Sequence, residues 1–304
     1  MRNDVYQILL GDFDADHFLR LQENENLRLY LGKDANGRYT FEFQGMFNLT
    51  KIKSSDVIAV VQLKGQQFNS IRFSLENPDL LEYFSTFCQD LLNSTHEILD
   101  DNIAYRTLQA RYNSWKKLFR PSVGKLGDSK IMGLIGELLY LRDIMIPKHG
   151  IDKALESWTG TENTHKDFSL ENEWHEVKAI TVGRGVVSIS SIEQLDSDID
   201  GTLAIYQLEK MSPSFNGLKL NSLVQEVFIS LENASQKEIF MNKLAEVGYS
   251  FTTDYDSHVF TCPSMMEYLV NKDFPKLERN FIPNPIQHVA YEIILAEIES
   301  FKLK

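Results

Sequence analysis

Two short segments with the alternating pattern of β-strands constrain the fold of this chain most, because together they place three charged side chains on one face of a hairpin. Residues 166–170 and 174–180 alternate as strands, and the polar Glu-Asn pair between them suits a tight turn. With the turn centred on that pair, Asp167 lies opposite Glu176, with Cβ atoms about 5 Å apart. Lys178 follows two residues later on the same face. The pattern predicts a hairpin that carries two acids and a lysine side by side.

Paired acids on a hairpin have a specific chemical use. Two carboxylates this close repel each other unless something compensates their charge. A divalent cation is the natural compensator, and oxygen ligands suit Mg²⁺ or Mn²⁺. Asp167 and Glu176 are therefore candidate metal ligands, with Lys178 placed to hold a scissile phosphate or orient an attacking water. The alternative is a solvent-facing hairpin whose charges only solvate one face.

A third acid, Glu137, stands alone in the apolar run 131–141, which reads as a helix. A helix that is apolar on nearly all sides is usually buried, and a buried acid is costly without a partner. Glu137 either lies at the rim of the helix with its carboxylate in water or points into the metal site. The hairpin favours the second interpretation, which makes Glu137 a third candidate ligand.

The helix glutamate, the hairpin aspartate and the Glu-x-Lys pair together resemble the PD-(D/E)XK nuclease superfamily, which includes restriction endonucleases, Holliday-junction resolvases and repair nucleases. Five blocks resemble more closely a bacterial family of PD-(D/E)XK motif proteins, whose members tend to be encoded near restriction and phage-defence genes. The blocks are Gly-Leu-Ile-Gly-Glu-Leu (133–138), Ser-Trp-Thr-Gly (157–160), His-Lys-Asp-Phe (165–168), Trp-His-Glu-Val-Lys-Ala (174–179) and Ile-Ser-Ser-Ile-Glu-Gln-Leu (189–195). The resemblance covers most of the chain.

This resemblance implies an α/β (α+β) fold with a restriction-endonuclease-like core. Asp167 and Glu176 match the metal-binding positions of the superfamily, Glu137 matches the helix acid that some members use, and Lys178 matches the catalytic lysine. Lys166 stands where the name of the motif has a proline, which many members lack. The implied cofactor is Mg²⁺ (or Mn²⁺), and the implied substrate is DNA.

Gln194 is a further candidate, at the start of a predicted helix for which Ser190 or Ser191 is a plausible N-cap. In the superfamily a glutamine at this place often approaches the site, which implies a substrate-orienting role. The full Gln-x-x-x-Tyr pattern is absent, and an ordinary surface glutamine is the alternative. His165 alternates onto the same hairpin face as the acids, where phosphate contact and a structural role are both open.

The 304 residues are long enough for two or three domains. We expect residues 1–95 to form a β-rich domain with a closing helix. Residues 96–213 are expected to form the nuclease core with a basic lead-in helix, ending in a strand at 202–208. Residues 214–304 are expected to form an α+β region with two helices and a strand pair near 250–261.

A net charge of −12 argues against a general nucleic-acid coat. Residues 101–130 depart from this balance, with seven basic and two acidic side chains immediately before the Glu137 helix. A phosphate backbone could pass there, and a solvated helix face with ordinary ion pairs is the alternative. Tyr112 and Trp115 in this stretch are expected to be core residues.

The two cysteines, Cys88 and Cys262, form neither a zinc motif nor a disulfide framework, so a reducing cytoplasm is the expected compartment. No apolar run is long enough for a transmembrane helix, and residues 1–5 lack an apolar signal core. We therefore expect no association with a membrane. A phosphate-cradling glycine loop is also absent, which argues against ATP use.

These patterns favour a metal-dependent DNA endonuclease of the restriction type, acting in phage defence as a homodimer because a double-strand cut needs two sites. Two alternatives stay open: a nuclease fold that binds DNA or a partner without cutting, and a subunit that is active only in a larger restriction or defence complex. The intact Asp-Glu-Lys set argues against the first alternative. The acidity outside the basic stretch favours the second, since affinity for DNA could come from a partner.

Overall fold

The computed structural model describes residues 4–22, 26–119, 125–159 and 166–303. The chain divides into two compact units, residues 1–124 with 248–253 and residues 125–247 with 254–304. Helices and strands occur in both, which agrees with the predicted α+β class. No described helix is long and apolar enough to cross a membrane. The division into three domains expected from the sequence stays a prediction.

The first unit contains an antiparallel sheet of five strands. These are β1 (Phe18–Arg20), β2 (Arg28–Lys33), β3 (Tyr39–Gly45), β4 (Ile58–Leu63) and β5 (Asn69–Leu75). They lie in the order β1-β2-β3-β5-β4. Gly37 in the turn between β2 and β3 has a φ of +74°, which a glycine adopts without strain. The β-rich N-terminal region predicted from alternation is confirmed.

Three helices complete the first unit and supply an aromatic core. They are α1 (Asp4–Leu9), α2 (Leu81–Thr95) and α3 (Asp101–Trp115). Tyr112 and Trp115 are buried, as predicted. Arg111, one of the basic residues of the stretch 101–130, is also buried, and its Nη2 lies 2.6 Å from Oδ2 of Asp90. Its guanidinium is therefore used inside the unit and is not presented to a phosphate backbone.

The second unit is organised around a mixed four-stranded sheet. The strands of the whole unit are β6 (Phe168–Ser169), β7 (Trp174–Thr181), β8 (Val186–Ile189), β9 (Gly201–Met211), β10 (Val259–Val270) and β11 (Tyr291–Ile294). The sheet has the order β10-β9-β7-β6, and β8 pairs separately with β11. β7 runs parallel to β9, whereas the other pairings are antiparallel. β7 is thus an interior strand.

Among the described residues, this unit has five α-helices. They are α4 (Asp128–Tyr140), α5 (Ile146–His149), α6 (Ile151–Ser157), α7 (Leu220–Ser230) and α8 (Ala234–Glu246). α4 packs on β7 at Gly136, where an added Cβ would lie 3.5 Å from side-chain carbons of both Val177 and Ala179. The Val177 face of β7 is therefore covered by α4.

The predicted strand pair near 250–261 is wrong. Residues Thr253–Ser257 form a 3₁₀ turn, and the single strand β10 begins at Val259. β10 pairs with β9, the strand predicted at 202–208, along nearly its whole length. The register shifts between Thr261 and Ser264, where Pro263 has no N–H to donate to the ladder.

The hairpin register predicted from the sequence is confirmed, because Phe168 pairs with His175 and Ser169 pairs with Trp174. Extending that register places Asp167 opposite Glu176. The first strand is shorter than predicted, since only Phe168 and Ser169 have strand geometry. The helix predicted to contain Gln194 is a single 3₁₀ turn.

Candidate active site

The candidate site is built on the face of β7 that α4 does not cover. Glu176 and Lys178 share this face with Trp174 and Ile180, by the alternation of the strand. Trp174 and Ile180 belong to an apolar cluster that includes Leu203 and other buried residues of the sheet. Glu176 is 1% exposed. Its carboxylate is therefore held at the edge of an apolar core.

Glu176 has one close partner, the ammonium group of Lys178, whose Nζ lies 2.6 Å from Oε1. Among the described residues, neither carboxylate oxygen receives a hydrogen bond of good geometry. Burial, and then the nearby charge of Asp167, raises the pKa of Glu176 well above its ordinary range. Burial alone would lower the pKa of Lys178, but Glu176 and Asp167 raise it, so Lys178 stays charged.

Asp167 is fixed to the same strand through the backbone. Its Oδ2 accepts a hydrogen bond from the Val177 N–H at 2.7 Å. Burial raises the pKa of Asp167, although the charge of Lys178 and the Val177 N–H each oppose the rise. Asp167 therefore interacts with Glu176 and Lys178 electrostatically, as the predicted hairpin requires.

Glu137 projects from α4 toward this group. Its Oε2 accepts a hydrogen bond from the indole Nε1–H of Trp158 at 2.8 Å. Burial, and then the charge of Asp167, raises the pKa of Glu137 to about 8. A glutamate with its carboxylate in water at the helix rim would not show this shift. Glu137 thus lies within electrostatic reach of the hairpin acids.

When all four groups are ionised, the three carboxylates and one ammonium carry two excess negative charges. A divalent cation would balance that excess and favour the ionised acids, and the oxygens of Glu176, whose close partner is Lys178, are suitable ligands for it. Within the described residues, these three acids do not form a three-residue set with all ligand atoms inside 4.8 Å.

Two further candidates from the sequence are Gln194 and His165. The side-chain oxygen of Gln194 accepts the Ser190 backbone N–H at 2.7 Å, which closes its own turn. Its role toward a substrate stays a prediction. His165 lies outside the described residues.

Comparison with known proteins assigns the chain to a family. A family model described as "Putative PD-(D/E)XK family member (DUF4420)" matches residues 12–296. The chain belongs to this family. No curated protein and no solved structure matches the chain. Membership of DUF4420 confirms the resemblance drawn from the five sequence blocks and identifies a nuclease-like fold.

Two residues of this DUF4420 chain support the site in ways that sequence reasoning missed. Trp158, in the block Ser-Trp-Thr-Gly, donates to Glu137. Lys166, which stands at the proline position of the motif, donates from Nζ to the carbonyl oxygens of Glu193, Gln194 and Asp196 at 2.7–3.0 Å. Its ammonium also lies 3.8 Å from the centre of the Trp174 ring. Both residues belong to sequence blocks that resemble the family, but the spacing of the blocks predicts neither contact.

Proposed function

We propose that this chain is a divalent-metal-dependent deoxyribonuclease that hydrolyses phosphodiester bonds of DNA. The observation that carries the proposal is the buried Glu176 carboxylate, which lies beside Asp167 and is ion-paired to Lys178 on one strand. A buried Glu176 with two partly buried acids, Asp167 and Glu137, beside one lysine is costly unless a cation completes the site. A hairpin with only a structural role would not need acids grouped in this way.

Asp167 and Glu176 would hold Mg²⁺ or Mn²⁺ directly, with Glu137 as a third ligand or as the acceptor for a water ligand. The bound cation would supply Lewis-acid polarisation of the phosphate and would lower the pKa of a bound water. Val177 keeps the Asp167 carboxylate oriented through its N–H, and Trp158 does the same for Glu137. The acids therefore need little reorganisation when a substrate arrives.

Lys178 would act on the phosphate itself. Its charged Nζ can stabilise the negative charge that develops on the phosphoryl oxygens, or orient the attacking water. The ion pair with Glu176 holds the ammonium at the metal-binding face when no substrate is present. Gln194 is proposed as a substrate-orienting residue, which requires its amide nitrogen, because its side-chain oxygen is occupied by Ser190.

The proposed setting is the cytoplasm, in defence against phage DNA. Both cysteines are free thiols, which suits a reducing compartment. The described part of the chain holds one such site, so a double-strand cut would take a homodimer or a larger restriction complex. The net charge of −12 favours the complex as the source of part of the affinity for DNA.

The test is cleavage of supercoiled plasmid by the purified chain in Mg²⁺ or Mn²⁺. Lys178→Met and Glu176→Gln are expected to reduce the rate by about 10²-fold or more, since each removes an electrostatic group of the site. Lys153→Met and Glu171→Gln are matched controls, because both residues are exposed and lie in the same unit. The controls should cleave at the wild-type rate.

Cleavage that persists in both site variants would refute the proposed site and indicate a contaminating nuclease. If the wild type does not cleave, DNA binding in Ca²⁺ and the mass of the assembly separate the remaining functions. Binding to DNA without cleavage would indicate an inactive nuclease fold. Cleavage that appears only with a co-purifying partner would indicate a subunit of a larger defence complex.

A further inference from the structure

A second cluster of metal-binding side chains lies at the start of β7, on different residues from the site above. His149 ends α5, Glu173 immediately precedes β7, and His175 is the second residue of the strand. One ligand atom from each of these residues lies within 4.8 Å of the others. His175 is on the opposite face of the strand from Glu176 and is 3% exposed.

The spacing of these atoms fits a tetrahedral ion. Nε2 of His149 lies 3.2 Å from Oε1 of Glu173, and Nε2 of His175 lies 3.6 Å from Oε2. In a tetrahedral zinc site with ligands at 2.0–2.2 Å, neighbouring ligand atoms are about 3.3–3.6 Å apart. Among the described residues, both Nε2 atoms are buried without a hydrogen-bond partner. Two buried nitrogen atoms thus point at one carboxylate with no hydrogen bond formed.

A hydrogen-bond relay fixes which nitrogen of His175 carries the proton. The hydroxyl of Tyr140 donates to Oε1 of Glu267 at 3.0 Å and lies 2.9 Å from Nδ1 of His175. A hydroxyl has a single proton to give, so Nδ1 of His175 must donate to Tyr140. A neutral imidazole carries one proton, so with that proton on Nδ1 the Nε2 of His175 presents a lone pair toward Glu173.

A lone pair that faces a carboxylate oxygen is repulsive unless a cation lies between them. Lys148 compensates only one oxygen of Glu173, because its Nζ donates to Oε2 at 2.6 Å; Oε1, which lies 3.2 Å from Nε2 of His149, is left for another cation. The relay from Glu267 through Tyr140 to His175 is the outer arrangement typically found behind metal-bound histidines.

We propose that His149, His175 and Glu173 bind one Zn²⁺ ion, with the two Nε2 atoms and the Glu173 carboxylate as protein ligands and water in the fourth position. Two imidazole nitrogens and one carboxylate oxygen suit zinc, whereas the all-oxygen site on the opposite face suits magnesium. The zinc site joins the end of α5 to the first residues of β7. It thereby fixes the strand that carries Glu176 and Lys178, independently of whether that site cleaves DNA.

The test uses the full chain, stripped with a chelator and titrated with Zn²⁺ against a competing zinc dye. Binding of one Zn²⁺ per chain is expected. His149→Gln should weaken binding by at least about a hundredfold, and Tyr140→Phe by about ten- to a hundredfold because it removes the relay. His288→Gln is the matched control, since His288 is an exposed histidine of the same unit. Co²⁺ in place of Zn²⁺ should give the visible absorption of a tetrahedral site.

Asp167→Asn separates this proposal from the nuclease proposal, because it should leave zinc affinity unchanged. The zinc site is refuted if the wild type binds no Zn²⁺, or if His149→Gln and His288→Gln bind it equally well. It is also refuted if Asp167→Asn abolishes binding, since the ion would then occupy the acidic site. His149→Gln decides the question even if a His175 variant fails to fold, because the side chain of His149 is partly exposed.

Discussion

Asp167 accepts the backbone N–H of Val177 at 2.7 Å, so the acid before β6 is bonded directly to the strand that carries Glu176 and Lys178. The bond links the two sides of the hairpin without involving either of those side chains. A hairpin register alone would bring Asp167 near Glu176 and leave its carboxylate free to turn. The N–H of Val177 removes that freedom, and it does so with a group that most substitutions on β7 would keep.

The first prediction concerns this bond. Asp167→Asn keeps an oxygen that can accept from Val177, and it removes one of the three neighbouring carboxyl groups. We expect the metal-free variant to be at least as stable as the wild type, while losing the rise in Tm that Mg²⁺ or Mn²⁺ gives the wild type. Thermal melts with and without metal measure both effects. An unchanged metal response would exclude Asp167 as a ligand.

A second prediction concerns the indole that supports Glu137. Trp158→Phe removes the N–H that Oε2 of Glu137 accepts, at a cost of about 1–3 kcal/mol for a buried acceptor left unpaired. Plasmid cleavage should fall along with the Tm. Trp115→Phe is the matched control, because Trp115 also donates its Nε1–H to a buried acid, Asp90, in the first unit. That variant should lower the Tm and leave the cleavage rate of the folded protein unchanged.

A third prediction concerns the lysine at the proline position. Lys166→Met removes the ammonium group that donates hydrogen bonds to three carbonyl oxygens in residues 193–196. The free energy of unfolding should therefore fall by about 1–3 kcal/mol. Urea unfolding measures the change, with the exposed Lys153→Met as reference. Equal stability of the two variants would show that these carbonyls find other donors.

The fourth prediction concerns pH. Burial raises the pKa of Glu137 from an ordinary value near 4.5 to about 8, so its stabilising protonated form is lost as the pH rises toward 8. His175 has the opposite effect on the pH dependence of stability. Burial lowers its pKa from the ordinary value of 6.5, so its contribution to stability changes only below pH 6.5. Without metal, the Tm should therefore fall between pH 6.5 and 8, and Mg²⁺ should reduce the fall. Melts of wild type and Glu137→Gln in chelator check this, since the variant should show a flatter profile.

The hairpin was predictable because alternation and turn chemistry are local properties of the sequence. Those two signals gave the register of Phe168 against His175 and the shared face of Glu176 and Lys178. The contact between Trp158 and Glu137 was not predictable in the same way. It joins a residue of α4 to the residue that follows α6, and only their packing brings them together.

The His149 cluster was missed for a similar reason. A search for regular histidine spacing finds nothing, because Glu173 and His175 meet a histidine from α5 that is more than twenty residues away. The available signal was the Glu-x-His pair at the start of a strand, two residues apart and therefore on one face. The length of β10 was missed because strand residues 259–270 pair with β9 far from them in sequence.

The alternation of β7 has a consequence for how this protein can change over evolution. His175 and Glu176 are adjacent in sequence and face opposite sides of the sheet. A single-residue insertion or deletion before Trp174 would exchange the two faces, turning imidazole toward the lysine and carboxylate toward Tyr140. The strand can therefore tolerate substitutions one position at a time, whereas a change in its length would alter the surroundings of both side chains in one step.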